Sequence, residues 1–144
     1  RGVGANNGEK YIRLYGLLQA AYLQQDAIKS LFDVVWNTFS KQAALKGWDQ
    51  LSRNSWEELR SYRNVSVGHP TDCNSFIKTK SVHAFVSRVT IGDKGFQIMI
   101  SDGSGFPAFK YVDLNKLIAG YKSEAQKIMD EMEKYLKNVK SSTN

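Results

Sequence analysis

In the C-terminal third of the chain, Leu114, Ile118, Tyr121, Ala125, Ile128, Met132, Tyr135 and Val139 follow one another at alternating intervals of four and three residues. This spacing puts all of them on one side of a continuous α-helix, as a heptad seam. Lysines and glutamates fill the remaining positions, so the opposite side is solvated. A helix this long and one-sided demands other elements to cover it, which points to a bundle. The seam is then the core face of a bundle helix, or else part of a homodimer contact. Asp113 is placed to cap its start.

A second long helical stretch begins at Asn6, with Glu9 three residues on, and runs to about Phe39. Tyr11, Leu14, Leu18, Tyr22, Ile28, Phe32, Val35 and Phe39 recur near the 3.6-residue period. Gln24, Gln25 and Asp26 interrupt that stripe. They are expected on the solvated side, or else Asp26 and Gln25 turn toward functional residues on a neighbouring helix. Residues 41–46 extend this helix or form a short second one, ended by Gly47. Ser55 with Glu58 reads as a capping box that opens a helix with Trp56, Leu59 and Tyr62 on one side. Arg60 and Arg63, three residues apart, project as neighbours from its surface. With Arg53 they make a basic face.

Between the helices the pattern changes. Val, Phe, Ile and Thr dominate 82–91, and Phe96, Ile98 and Ile100 alternate across 96–101, which predicts two strands joined by the Gly92–Gly95 loop. A third strand over 106–112 is an edge, because Pro107 cannot donate to a ladder. The predicted fold is mainly α, of the α+β type: a helical bundle with a β-hairpin or small antiparallel sheet inserted over 82–112 and a long C-terminal helix. A chain of 144 residues is most simply one domain over 1–144, with 1–8 and 140–144 expected to be disordered.

The formal charge of +6 and a pI near 9.4 favour an anionic partner, nucleic acid foremost. No run of apolar residues is long enough to predict a membrane span. The single cysteine, Cys73, forms no intrachain disulfide and suits a cytoplasmic location. There is no His-x-x-x-His pair, glycine-rich nucleotide loop or helical carboxylate pair, so no metal or cofactor is expected.

The chemistry concentrates in Arg63-Asn64-Val65-Ser66-Val67-Gly68-His69-Pro70. Arg63 is a permanent cation whose donor fork matches phosphate oxygens. His69 gives or takes a proton near neutral pH, and Asn64 both donates and accepts. RNA cleavage asks for a group to move the 2′-hydroxyl proton and a cation for the charge building on phosphorus. In one continuous helix His69 would point about 240° away from Arg63, and Pro70 disfavours helix at His69. Either the helix ends near Gly68 and His69 folds back, or the two residues meet across a dimer.

The stretch resembles the Arg-x4–6-His motif of the HEPN superfamily, over roughly residues 9–72. That resemblance implies a metal-independent endoribonuclease of toxin or phage-defence type, acting as a homodimer with two motifs around one cleft. Arg63, Asn64 and His69 would be the catalytic set, Arg60 and Arg53 would bind substrate, and Asp26 and Gln25 would support the site. RNA is the expected partner, with an antitoxin or regulatory protein as a second. Two other readings stand beside it. One is a non-catalytic RNA- or nucleotide-binding module using the same residues, with Trp48, Trp56 and Tyr62 as candidate exposed aromatics. The other is an interaction protein that associates through the C-terminal seam.

Overall fold

The computed structural model describes residues 4–39, 46–67, 83–101 and 105–141. Helix α1 runs Asn7–Phe39, α2 Asn54–Val67 and α3 Leu114–Ser141, with single 3-10 turns at Trp48–Gln50 and Arg88–Thr90. Strands β1 (His83–Val86), β2 (Gly95–Ser101) and β3 (Ala108–Asp113) form an antiparallel sheet in that order. The chain is thus mainly α with one small sheet and a long C-terminal helix. No helix among the described residues is long and apolar enough to cross a membrane. Residues 41–45, expected to extend α1 or form a helix of their own, and Gly68, His69, Pro70 and Cys73 lie outside the described residues.

α1 starts where the sequence places it: the Glu9 N–H donates to Asn6 Oδ1 at 2.9 Å. Glu9 in turn accepts from the Ala5 N–H and pairs with Arg13, and these two donors, the amide first, hold its carboxyl below the usual range. α3 starts on Asp113, whose Oδ1 accepts the Lys116 N–H at 2.9 Å. Leu117, Tyr121, Ala125, Ile128, Met132 and Tyr135 of α3 are buried, so its seam is the core face of the bundle. Association through Ile128 and Met132, each 2% exposed, is excluded: both are already spent on the fold.

α2 does not start as predicted. It begins at Asn54, and its first amides are taken from outside: Ser55 and Trp56 donate to Oε1 and Oε2 of Glu124 on α3, at 3.2 and 2.8 Å. The carboxylate satisfies two otherwise orphaned donors and opposes the positive end of the helix. Glu58, expected to close a capping box with Ser55, instead accepts from the Tyr62 hydroxyl and pairs with Lys110 of β3. Burial and that carboxylate push the Tyr62 hydroxyl pKa up. Gly120 lets the two helices approach, since a Cβ there would collide with the Ser55 hydroxyl.

Trp56, Leu59, Tyr62 and Val65 bury one side of α2 between α1 and α3. Trp56 and Tyr62, at 2% and 1% exposure, are core residues and not exposed platforms for bases. Trp36, Phe32, Trp48, Trp56 and Tyr121 make a run of ring contacts 5.1–6.1 Å apart through one end of the bundle. The Tyr121 hydroxyl donates to Gln24 Oε1, and burial pushes its pKa up to about 12.

The sheet closes the other end, with Phe96 edge-on to Tyr62 at 6.0 Å. The predicted strand 82–91 stops at Val86 because Thr90 competes for the ladder. Its hydroxyl accepts the Gln97 N–H and donates to the Ser87 carbonyl, which bends the chain into the 3-10 turn. At the β2 start, Gly95 is obligatory, since a Cβ would run into the Val112 carbonyl.

Glu124→Ala removes the cap without leaving a buried charge. We expect a loss of about 1–2 kcal/mol, read as a lower urea midpoint at unchanged m-value, with Glu124→Gln recovering part of it.

Candidate phosphate-binding site on helix α2

The short helix α2 lies antiparallel to α1. Tyr11 reaches Ser66, Gln19 reaches Arg63, and Gln25 reaches Trp56. Arg60 and Arg63 therefore come down on α1 at Gln19, Tyr22 and Asp26, three residues that share one side of that helix by their spacing. Both guanidinium carbons lie over the Tyr22 ring, at 4.3 Å for Arg60 and 4.2 Å for Arg63. The negative ring face holds two cations that would otherwise repel each other apart.

The two arginines are bound differently. Arg60 donates to Asp26 Oδ1 at 2.8 Å and to the Tyr22 hydroxyl at 3.1 Å, and its charge is balanced by that carboxylate. Arg63 donates through Nε to Gln19 Oε1 at 3.0 Å and through one terminal nitrogen to Asn64 Oδ1 at 3.1 Å. Both partners are neutral, and no carboxylate pairs with Arg63 among the described residues. The cluster of two guanidiniums and one carboxylate thus keeps a spare positive charge at the C-terminal end of α2. Arg63 is half-buried and Asn64 exposed. A half-buried, oriented, uncompensated guanidinium is suited to a dianionic or phosphodiester oxygen pair.

Not every predicted residue is here. Asp26 supports the site through Arg60 and not by touching Arg63. Arg53 is excluded from the basic face. It precedes α2, about 15 Å along the helix from Arg63 by the helical rise, where it stacks on Trp48 at 4.8 Å and pairs with Glu57. Its side chain is 18% exposed, so it fastens Trp48 to the bundle. Gln25 is neither on a solvated face nor at the site: it is fully buried, and its amide donates to the Trp56 carbonyl at 2.8 Å. A 33-residue α1 winding between two partners buries a polar residue when the neighbouring backbone offers an acceptor.

Tyr22 and Gln19 are site residues the sequence reading missed, Tyr22 having been assigned to the apolar stripe. Their signal was present as the pairing of two patterns: 19, 22 and 26 on one helix face against 60 and 63 on another. His69 lies outside the described residues, two positions beyond the end of α2.

Tyr22→Leu keeps the bulk and loses the ring face. We expect a loss of about 1–2 kcal/mol for two partly exposed cation–ring contacts, measured by denaturant unfolding, with Tyr22→Phe losing less than half of that.

No family model, curated protein or solved structure matches this chain.

Proposed function

We propose that the protein is a metal-independent endoribonuclease of HEPN type that cleaves RNA with Arg63 and His69. The observation that carries this reading is the spare charge on Arg63, held by Tyr22, Gln19 and Asn64 at the helix end from which the chain leads to His69. The +6 charge of the chain supports an anionic polymer as substrate.

In this mechanism Arg63 holds the scissile phosphate and offsets the charge that develops on its oxygens. Gln19 and the Tyr22 ring keep the guanidinium from swinging away, so little orientation is lost on binding. Asn64 orients His69 or a phosphate oxygen. Arg60, balanced by Asp26, positions Arg63 by sharing Tyr22. His69 accepts the 2′-hydroxyl proton or donates one to the leaving 5′-oxygen. Because the sequence from 63 to 70 supplies one histidine, the acid and the base come from two copies of the motif in a homodimer. The products are a 2′,3′-cyclic phosphate and a 5′-hydroxyl. Such an activity needs restraint, and an antitoxin or regulatory protein fits a toxin or defence role.

The test is cleavage of mixed RNA in excess EDTA by the parent protein, Arg63→Ala and His69→Ala. We expect cleavage by the parent and a loss of at least ~100-fold in each variant, with cyclic phosphate ends. Cleavage that survives His69→Ala refutes the mechanism. RNA binding that is salt-sensitive, lost in Arg63→Ala and kept in His69→Ala, without cleavage by any of the three, marks the protein as a binding module.

A further inference from the structure

α1 is apolar on two opposite sides. Leu14, Leu18, Ala21, Gln25, Phe32 and Val35 face the bundle and are buried. Shifted by two residues, about 200° round the helix, Gly16, Ala20, Leu23, Ala27, Ser30 and Val34 are all exposed. These six positions also step by four and three, so they form a second heptad seam, and none carries a charge. Ile12 and Leu31 flank it, at 69% and 45% exposure, while Leu23 and Val34 within it are 59% and 63% exposed. A contiguous exposed apolar surface marks a place where another surface is met, and the described part of this chain covers only one of the two apolar sides.

We infer that this outer seam of α1 is a homodimer interface in which two copies of α1 pair antiparallel. The size pattern selects both the occupant and the direction. With the two-fold axis near residue 25, the facing pairs are Gly16 with Val34 of the second copy, Ala20 with Ser30, and Leu23 with Ala27. The two aliphatic positions of the seam thus each meet a small residue, and the surface is complementary to itself under reversal, as interlocking layers require. Parallel pairing sets Gly16 on Gly16 and Leu23 on Leu23, leaving voids in some layers and crowding in others. An unrelated partner has no reason to match this alternation. The seam spans about 27 Å of helix from residue 16 to 34. One such helix pair lies at the low end of specific interfaces, so a micromolar dimer is expected.

The pairing has a geometric consequence. Gln19, Tyr22 and Asp26 lie to one side of the seam, and a two-fold axis perpendicular to both helices leaves this side facing the same way in each copy. Tyr22 and its copy are then offset by about 9 Å along the helices and stand farther apart across them than the roughly 8–10 Å between the two axes, because each points obliquely away from the seam. The two Arg60–Arg63 clusters become one cationic floor on one side of the dimer. This consequence for RNA cleavage rests on the function proposed above; the interface itself does not.

Light scattering and sedimentation equilibrium over 1–200 μM protein give the first test. The parent is expected to pass from monomer to dimer. Leu23→Glu and Ala27→Glu, at exposed positions, are expected to stay monomeric with an unchanged helical circular dichroism spectrum. A parent that is monomeric at 200 μM, or variants that dimerise as it does, overturns the interface. Direction is read in a Cys73→Ser background. A mixture of Gly16→Cys and Val34→Cys proteins is expected to form a disulfide-linked heterodimer under mild oxidation. Homodimers of each variant alone, without the heterodimer, refute antiparallel pairing. Metal-free cleavage by the Leu23→Glu monomer at the parent's rate overturns the composite floor and leaves Arg63 chemistry standing. A dimer that cuts no RNA does the reverse.

Discussion

The contact between Glu124 of α3 and the first amides of α2 governs the rest of the arrangement. α2 has 14 residues, about the length at which an isolated helix is marginal in water. It persists because its start is capped by another helix and one side is buried by two. Gly120 sets how closely that cap can approach. Loosening this joint would let α2 rotate or fray, and Arg60 and Arg63, about one and two turns further along, would leave Tyr22.

The cation cluster shows how a weakly stabilising set of contacts becomes a site. A partly exposed ion pair such as Arg60–Asp26 contributes little to folding, and a second arginine beside it is repulsive. The Tyr22 ring offsets the repulsion, and Gln19 and Asn64 satisfy Arg63 without neutralising it. A purely structural arginine would be expected to meet a carboxylate, as Arg53 does with Glu57. Arg53 and Arg63 carry the same side chain near the two ends of one helix, and their partners differ: Arg53 meets a ring and a carboxylate, whereas Arg63 meets a ring and two neutral oxygens.

α1 serves three purposes along one helix. One side fills the core, one carries Gln19, Tyr22 and Asp26, and the side opposite the core is an apolar seam with no cover among the described residues. A single apolar face would have sufficed for the bundle alone. Exposing the second costs solubility, which is a reason to look for what it meets.

Local rules were enough for the elements whose signals are local. Asn6, Asp113, the α3 seam and the mainly α composition followed from capping and periodicity, and each acts within a few residues of its cause. Arg63 and Asn64 were singled out from their chemistry alone. What only the tertiary structure decided has long-range partners. Glu124 caps a helix 68 residues away in sequence and so displaced the Ser55–Glu58 box. Gln25 is buried because the Trp56 carbonyl is there to accept from it. Arg53 left the basic face for Trp48 and Glu57, and Tyr22 joined the site because α2 crosses α1 at that point. A sequence states which groups a residue can satisfy, but which group is within reach is settled when the helices pack.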